Sequence, residues 1–399
     1  MEDLPVEILE QILFSITDLR SLYHLVVASP AASRVFGSAE AGPKALDHVL
    51  GESTAPEVIT LVSLVSLIRT ASLEYPPAPS VQDFVEKYTR CHRDRDPSLI
   101  SAAPSLAHLL RAQAPHLIRG VLLTARRICC LTWARLQYYR SQWASVTPCH
   151  LENGPFAWGA RDKAWRENPQ GRPYTPQPLS PPCWMEEQRV MRGFWRLQLL
   201  LDLKLATSAD RLDWALKNSH EGLSPDVLFA GWTWQKEEFL TVVDFVDHIQ
   251  GGSILSQRSQ SLPAPSQTYA SSRRWQDPAY PGVVDPRWPR EVLSKDQPPC
   301  WMIYIVKLLK HPYSPIRGVP FWPYRKLGLA IWQQDKLEAL ELSFTSYASR
   351  GIGRPTSRGD IVFTWRSLLS QDLIAELQVS MEADFQQNGF LLNRSNPNM

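Results

Sequence analysis

The side chains able to carry chemistry are few and scattered. Cys149 and His150 are adjacent, which supplies a thiol and an imidazole but not the pairing in space that a thiolate nucleophile needs from its base. Cys129 and Cys130 could join them around a zinc ion, yet no Cys-x-x-Cys or closely spaced histidine pair frames them, so no metal is expected. Asp244, Asp247 and His248 fall on one helical stretch, and a solvated face accounts for them. Gly351 and Gly353 lack the third glycine and the preceding strand of a dinucleotide loop. The phosphate-cradling Gly-x-x-x-x-Gly-Lys, the Gly-x-Ser-x-Gly elbow and the His-Glu-x-x-His zinc motif do not occur. The chain is therefore read as non-catalytic, with no cofactor.

Composition narrows the remaining classes. Lys and Arg total 42 against 40 Asp and Glu, so 42 − 40 leaves a formal charge of +2 over 399 residues. A nucleic-acid binder would show a basic face or stripe, and none is expected here. Apolar residues make up 44% and charged residues 21%, which excludes wholesale disorder. The length allows roughly two or three domains of ~100–200 residues each. The acidic start Met1-Glu2-Asp3-Leu4-Pro5 is unlike a secretory signal. The longest apolar stretches, 61–68 and 197–205, fall far short of the ~20 residues of a membrane span. Six cysteines lie far apart and read as reduced thiols of a cytoplasmic or nuclear protein. The glycosylation sequon Asn393-Arg394-Ser395 and the adhesion tripeptide Arg358-Gly359-Asp360 both need an extracellular setting and are set aside.

These sparse groups would be positioned by helices. Leu4, Ile8, Ile12 and Ile16 recur at i+4, flanked by Leu9 and Leu13, a wide apolar stripe at helical period. Asp18 is a natural N-cap for a second helix carrying Leu19, Leu22, Leu25 and Val26. Ser29-Pro30 starts a third helix with Val35 and Phe36. Helical pattern continues over 56–73, from Ser80 with Asp83 as its capping-box partner, over 105–143 with an interruption at Pro115, over Met185–Ala206, and over the shorter stretches Asp210–Asn218, Lys236–Ile249, Trp301–Lys310, Leu337–Leu342 and Ile361–Phe385. Arginines at 126, 127, 135 and 140 read as side chains snorkelling from a helix face. The proline-rich stretch 145–183 excludes regular helix or a central strand. It carries Phe156, Trp158, Trp165 and Tyr174, so it is expected to pack rather than to float. The segment 251–274 is Ser/Gln/Pro-rich and reads as disordered. Fifteen tryptophans are read as mainly structural. The word Pro-Pro-Cys-Trp-Met occurs at 181–185 and again at 298–302, each time leading into a helix.

Three helices in ~40 residues cannot bury all their apolar stripes among themselves. The rest must face the remaining chain or a partner. The pattern Leu4-Pro5-x-Glu7-Ile8-Leu9-x-x-Ile12, followed by Leu19-x-x-Leu22-x-x-Leu25-Val26-x-Ala28-Ser29-Pro30, resembles the F-box motif, particularly its fungal variety. The resemblance covers about a tenth of the chain. Where many F-boxes carry Cys-x-x-Trp near the third helix, this chain has Ala28-Ser29-Pro30-Ala31. Segments 190–204 and 321–340 are similar to stretches of uncharacterised fungal proteins with F-box-like beginnings.

The resemblance implies a substrate adaptor. The first helices would seat a Skp1-like adaptor, and through it a cullin, while the rest holds an unidentified protein target near a ubiquitin ligase. It maps the partner-binding positions onto Leu4, Pro5, Ile8, Leu9, Ile12, Leu22, Leu25 and Val26. The expected fold is mainly α. A three-helix module at 1–40 precedes a helical body at 41–250, a partly disordered linker at 251–299 and a C-terminal helical part at 300–390. The alternative is a non-catalytic interaction scaffold whose N-terminal helices pack on their own body, with no ligase link. Neither reading involves nucleic acid or a membrane.

Overall fold

Capping side chains set several helix starts in the computed structural model, which describes residues 2–70, 80–88, 105–111, 115–152, 171–208, 224–229, 234–255, 261–264, 305, 308–311, 314–342 and 358–388. Helix α1 spans Val6–Ser15. The Asp18 carboxylate accepts from the Ser21 amide at 2.8 Å and opens α2 (Leu19–Ala28). The Ser29 hydroxyl accepts from the Ala32 amide at 3.2 Å, and Pro30 takes the first position of α3 (Pro30–Phe36), where its missing N–H is no loss. Helices α4 (Ala41–Ser53) and α5 (Pro56–Thr70) follow. At the start of α6 (Val81–Tyr88) the Ser80 hydroxyl accepts from the Asp83 amide at 3.0 Å, one half of the expected capping box, and donates to the Asp83 carboxylate at 2.5 Å. The break at Pro115 separates α7 (Leu106–Leu110) from α8 (Pro115–Trp143).

The chain forms two compact units. The first comprises residues 1–136 and 182–296, the second 137–181 and 297–399. The boundary at 136/137 falls within α8. In the first unit α9 (Trp184–Ser208) packs between α5 and α10 (Trp234–Gln250). The Glu186 carboxylate reaches back to the Cys183 amide at 2.9 Å and caps α9. Leu200, Leu201 and Leu203 on α9, Val65 and Ile68 on α5, and Phe239, Val242 and Val246 on α10 form the core. At Gly193 the helices approach so closely that a Cβ would lie 2.8 Å from Val242 Cγ2. Beside it the Arg192 guanidinium donates in a fork to Glu238 at 2.9–3.1 Å, with both side chains buried. Arg69 of α5 pairs with Asp202 of α9 at 2.8 Å.

The second unit is less regular. Strands β1 (Cys149–Leu151) and β2 (Gly171–Pro173) pair antiparallel, with His150 opposite Arg172. The sequence reading gave this proline-rich stretch no regular structure. Pro173 is accommodated because the ribbon has only two strands and its missing donor costs no central ladder bond. Helices α11 (Trp322–Arg325), α12 (Gln334–Ala339), α13 (Arg358–Ser367) and α14 (Gln371–Asn388) complete the unit. The expected single region over 361–385 is two helices, because the Ser370 hydroxyl accepts from the Leu373 amide and restarts the chain as α14. Three tryptophans organise the loops. The indole N–H groups of Trp143 and Trp332 both donate to the Leu327 carbonyl, at 2.8 and 2.9 Å, and that of Trp365 donates to the Leu342 carbonyl at 2.9 Å.

Several expectations lie outside the described residues: Trp158, Trp165, Trp275 and Trp288, the helix at 210–218, residues 256–260 and 265–274 of the low-complexity segment 251–274, and the second Pro-Pro-Cys-Trp-Met word. The described part of that segment is ordered against expectation, because Ile254 and Leu262 are buried and the Leu255 and Leu262 carbonyls accept from Lys204 and Arg127 at 2.9 Å. Among the described residues, Cys129, Cys130, Cys149 and Cys183 form no disulfide with one another. No described helix is long and apolar enough to cross a membrane.

Tyr324 is fully buried against Trp365, with ring centroids 5.0 Å apart, and its hydroxyl has no partner among the described residues. Burial pushes its phenol well above the ordinary tyrosine range. Tyr174 is raised by burial too, with the Glu341 carboxylate adding to the shift. Both phenols hold their protons more tightly folded than unfolded. Their contribution is therefore intact below about pH 10 and lost as the pH rises above it. Thermal melts from pH 8 to pH 11 (~1-unit steps) should show stability falling above about pH 10. Tyr324→Phe should flatten that fall and, by removing an unsatisfied hydroxyl, leave neutral-pH stability unchanged or raised by about 1 kcal/mol.

Candidate functional site

The apolar ridge of the first helices is divided. Leu9 and Leu13 of α1 and Leu19, Leu22 and Val26 of α2 are buried, Leu13 and Leu22 with no exposure at all. They lie where α1 and α2 meet α3 and α4, whose Ala32, Val35, Phe36 and Leu46 are buried as well. Leu4, Ile8 and Ile12 fall on successive turns, about 40° apart at ~100° per residue, beside this buried row rather than on it. Ile8 is 40% exposed and Leu4 38%. Pro5 is exposed, and Ile12 and Leu25 are half-buried. Of the eight predicted partner-binding residues, Leu4, Pro5 and Ile8 thus remain on the surface and Ile12 and Leu25 stand at its edge. Leu9, Leu22 and Val26 belong to the interior of the first unit. Val6 and Phe14, which the motif does not include, are also exposed.

The residues ahead of α1 are held by a charge. Both oxygens of the Glu2 carboxylate are used: Ser29 Oγ donates to one at 2.7 Å and the Ala31 amide to the other at 2.9 Å. Together with the Ser29–Ala32 bond this satisfies the first free amides of α3, since Pro30 has none to offer. The Ser29 hydroxyl and the Ala31 amide hold the Glu2 carboxyl below its usual range. No local pattern in the sequence marks this bond, because its partners lie 27 and 29 residues away.

Polar bonds also tie the opening helices to α8 within the first unit. Arg126 Nη1 donates to the Tyr23 hydroxyl at 3.0 Å, with its guanidinium 4.1 Å from the ring centroid. Arg119 Nη2 donates to both the carbonyl and the hydroxyl of Ser33 at 3.0 Å. Nearer the boundary, Arg135 is buried over the Phe245 ring at 5.0 Å. It does not snorkel to water as expected, because the Phe245 ring of α10 takes the cation inside the protein.

Cys149 is half-buried, and burial pushes its thiol up, away from the reactive thiolate. His150 turns instead to Tyr174, on which it stacks at 4.0 Å with parallel rings, and to Glu341, 2.6 Å from its Nε2. Tyr174 donates to the Leu340 carbonyl at 2.7 Å. Glu341 ends α12 in the left-handed region at φ 59°, while the Leu342 amide closes back on Leu337 at 2.8 Å. The cluster therefore joins the β1–β2 ribbon to a helix end. Asp247 accepts from the Ile254 amide at 2.7 Å and closes the turn after α10. Among the described residues no group of three His, Cys, Asp or Glu side chains could hold a metal ion.

The divided ridge makes opposite demands on neighbouring leucines and isoleucines. Leu13→Ala should lower the stability of the first unit by about 2–5 kcal/mol, read by urea denaturation. Ile8→Ala should stay within about 0.5 kcal/mol of the parent, as surface substitutions do. Equal losses would mean that Ile8 is core.

Comparison of the chain with protein-family models, with curated proteins and with solved structures finds no match in any of the three.

Proposed function

We propose that this chain is a non-catalytic helical interaction scaffold whose opening helices are part of its own first unit, without a ligase link. The observation that carries this reading is the burial of Leu9, Leu13, Leu22 and Val26 within that unit, reinforced by the Arg126–Tyr23 and Arg119–Ser33 bonds. A face already covered by its own chain is not available to a second one. Removing residues 1–40 tests the reading. The shortened chain should aggregate or melt at a clearly lower temperature, because α4 and α8 lose their cover. A truncated chain that stays monodisperse with an unchanged denaturation midpoint would show that the first forty residues are an independent module.

A second reading, the F-box-type adaptor, is favoured by one specific observation. Leu4, Pro5 and Ile8, which carry the start of the motif, lie exposed, and Ile12 stands beside them. Under this reading a Skp1-like protein would sit on the outer edge of α1, and the chain would act by proximity, raising the effective concentration of a bound target near the ligase. Joint Leu4→Ala and Pro5→Ala substitution should then abolish co-purification with a Skp1-like protein while helix content by circular dichroism is unchanged. A parent chain that retains no such protein would end this reading.

A further inference from the structure

The near-neutral total of +2 hides an uneven distribution of charge. Helices α2, α3 and α8 of the first unit contain no Asp or Glu. Arg119 holds Ser33 of α3 and Arg126 holds Tyr23 of α2, so α8 runs along α3 and then α2. The seam so formed carries Arg20 and His24 from α2 and Arg119 and Arg126 from α8. Burial, then the charges of Arg20 and Arg126, draw the His24 imidazole below its usual range, and Asp18 alone opposes them. That carboxylate is already engaged as the cap of α2.

Two large apolar side chains stand in the same seam. Val27, one turn beyond Tyr23, is 63% exposed, and Leu123, between Arg119 and Arg126 on one face of α8, is 50% exposed. Apolar anchors ringed by arginine suit a protein partner, whereas a nucleic-acid backbone asks chiefly for charge.

The chain itself holds a complement. Helix α14 in the second unit carries Asp372, Glu376 and Glu382 and no lysine, arginine or histidine in its 18 residues. It lies on its own unit by the row Ile374, Leu377 and Met381, of which Leu377 is buried and the other two half-buried. The opposite face is Asp372, Glu376, Val379 and Ala383, all exposed, with Val379 at 71%. An apolar anchor flanked by carboxylates thus mirrors apolar anchors flanked by cations.

We propose that α14 of one copy of this chain docks on the α2–α8 seam of a second copy, with Val379 against Val27 and Leu123 and the carboxylates of α14 facing Arg20 and Arg119. This rests on the scaffold reading, which keeps α2 against α8, and it makes the scaffold's partner its own chain.

Analytical ultracentrifugation of the full chain over a wide concentration range tests the contact. The parent should associate with rising concentration, and more weakly as salt is raised. Arg20→Glu and Glu376→Lys should each weaken association roughly tenfold, with an unchanged melting temperature because both positions lie at the surface. Val379→Ser should weaken it without changing the salt dependence. Mixing Arg20→Glu with Glu376→Lys should restore association, since one pairing then joins two unaltered surfaces and the other joins two reversed ones. A parent that stays monomeric, whether or not it binds a duplex oligonucleotide, overturns the proposal. So does a mixture that associates no better than its parts. Removal of residues 1–40 judges the scaffold reading separately, so a folded monomer here counts against this contact alone.

Discussion

Leu13 on α1 and Leu22 on α2 lose all contact with water, and the surface that covers them is supplied by α3 and α4 of the same unit. An apolar face can be used once. Each leucine buried there contributes on the order of 1.5–3 kcal/mol, and giving the face to another protein would forfeit that before any new contact formed. The bonds from Arg126 to Tyr23 and from Arg119 to Ser33 add direction to this packing, since they require α8 to run past the opening helices in one register. What remains outside is a narrow strip of Leu4, Pro5, Val6 and Ile8, whose first residues are held in place by the Glu2 carboxylate.

Charge is treated differently in the two units. Between α9 and α10 of the first unit, Arg192 and Glu238 meet where Gly193 lets the helices close together, and the fork geometry satisfies both oxygens. Such a pair adds little net stability over an apolar contact, but breaking it leaves an uncompensated buried charge, so it penalises any other register of the two helices. The second unit holds its irregular loops with tryptophan N–H groups on backbone carbonyls, a neutral solution to the same need.

Local signals in the sequence were legible. Asp18, Ser29-Pro30, Ser80 and the break at Pro115 stand where capping chemistry puts them, because a cap depends on residues no more than a few positions apart. Helix α9 is within two residues of its expected span at each end. The long-range decisions were not legible. The i+4 periodicity of Leu4, Ile8 and Ile12 and the row through Leu9 and Leu13 give one broad stripe, and only the approach of α3 and α4 divides it into a covered and an uncovered half. The β1–β2 pairing joins residues about twenty positions apart across a proline-rich stretch, with three residues in each strand, too few for an alternating pattern. Arg135 and Arg366 look in sequence like any arginine on an amphipathic helix. Their burial depends on neighbours that composition does not name.

Native-state hydrogen exchange on the full chain tests most directly whether the opening helices belong to the first unit. Amides in the middle of α2, α3 and α4 should exchange with the same opening free energy as those of α5 and α9, as one cooperative body. Exchange of α1–α3 at a much lower free energy, while α5 and α9 keep full protection, would show a separable module and contradict the account.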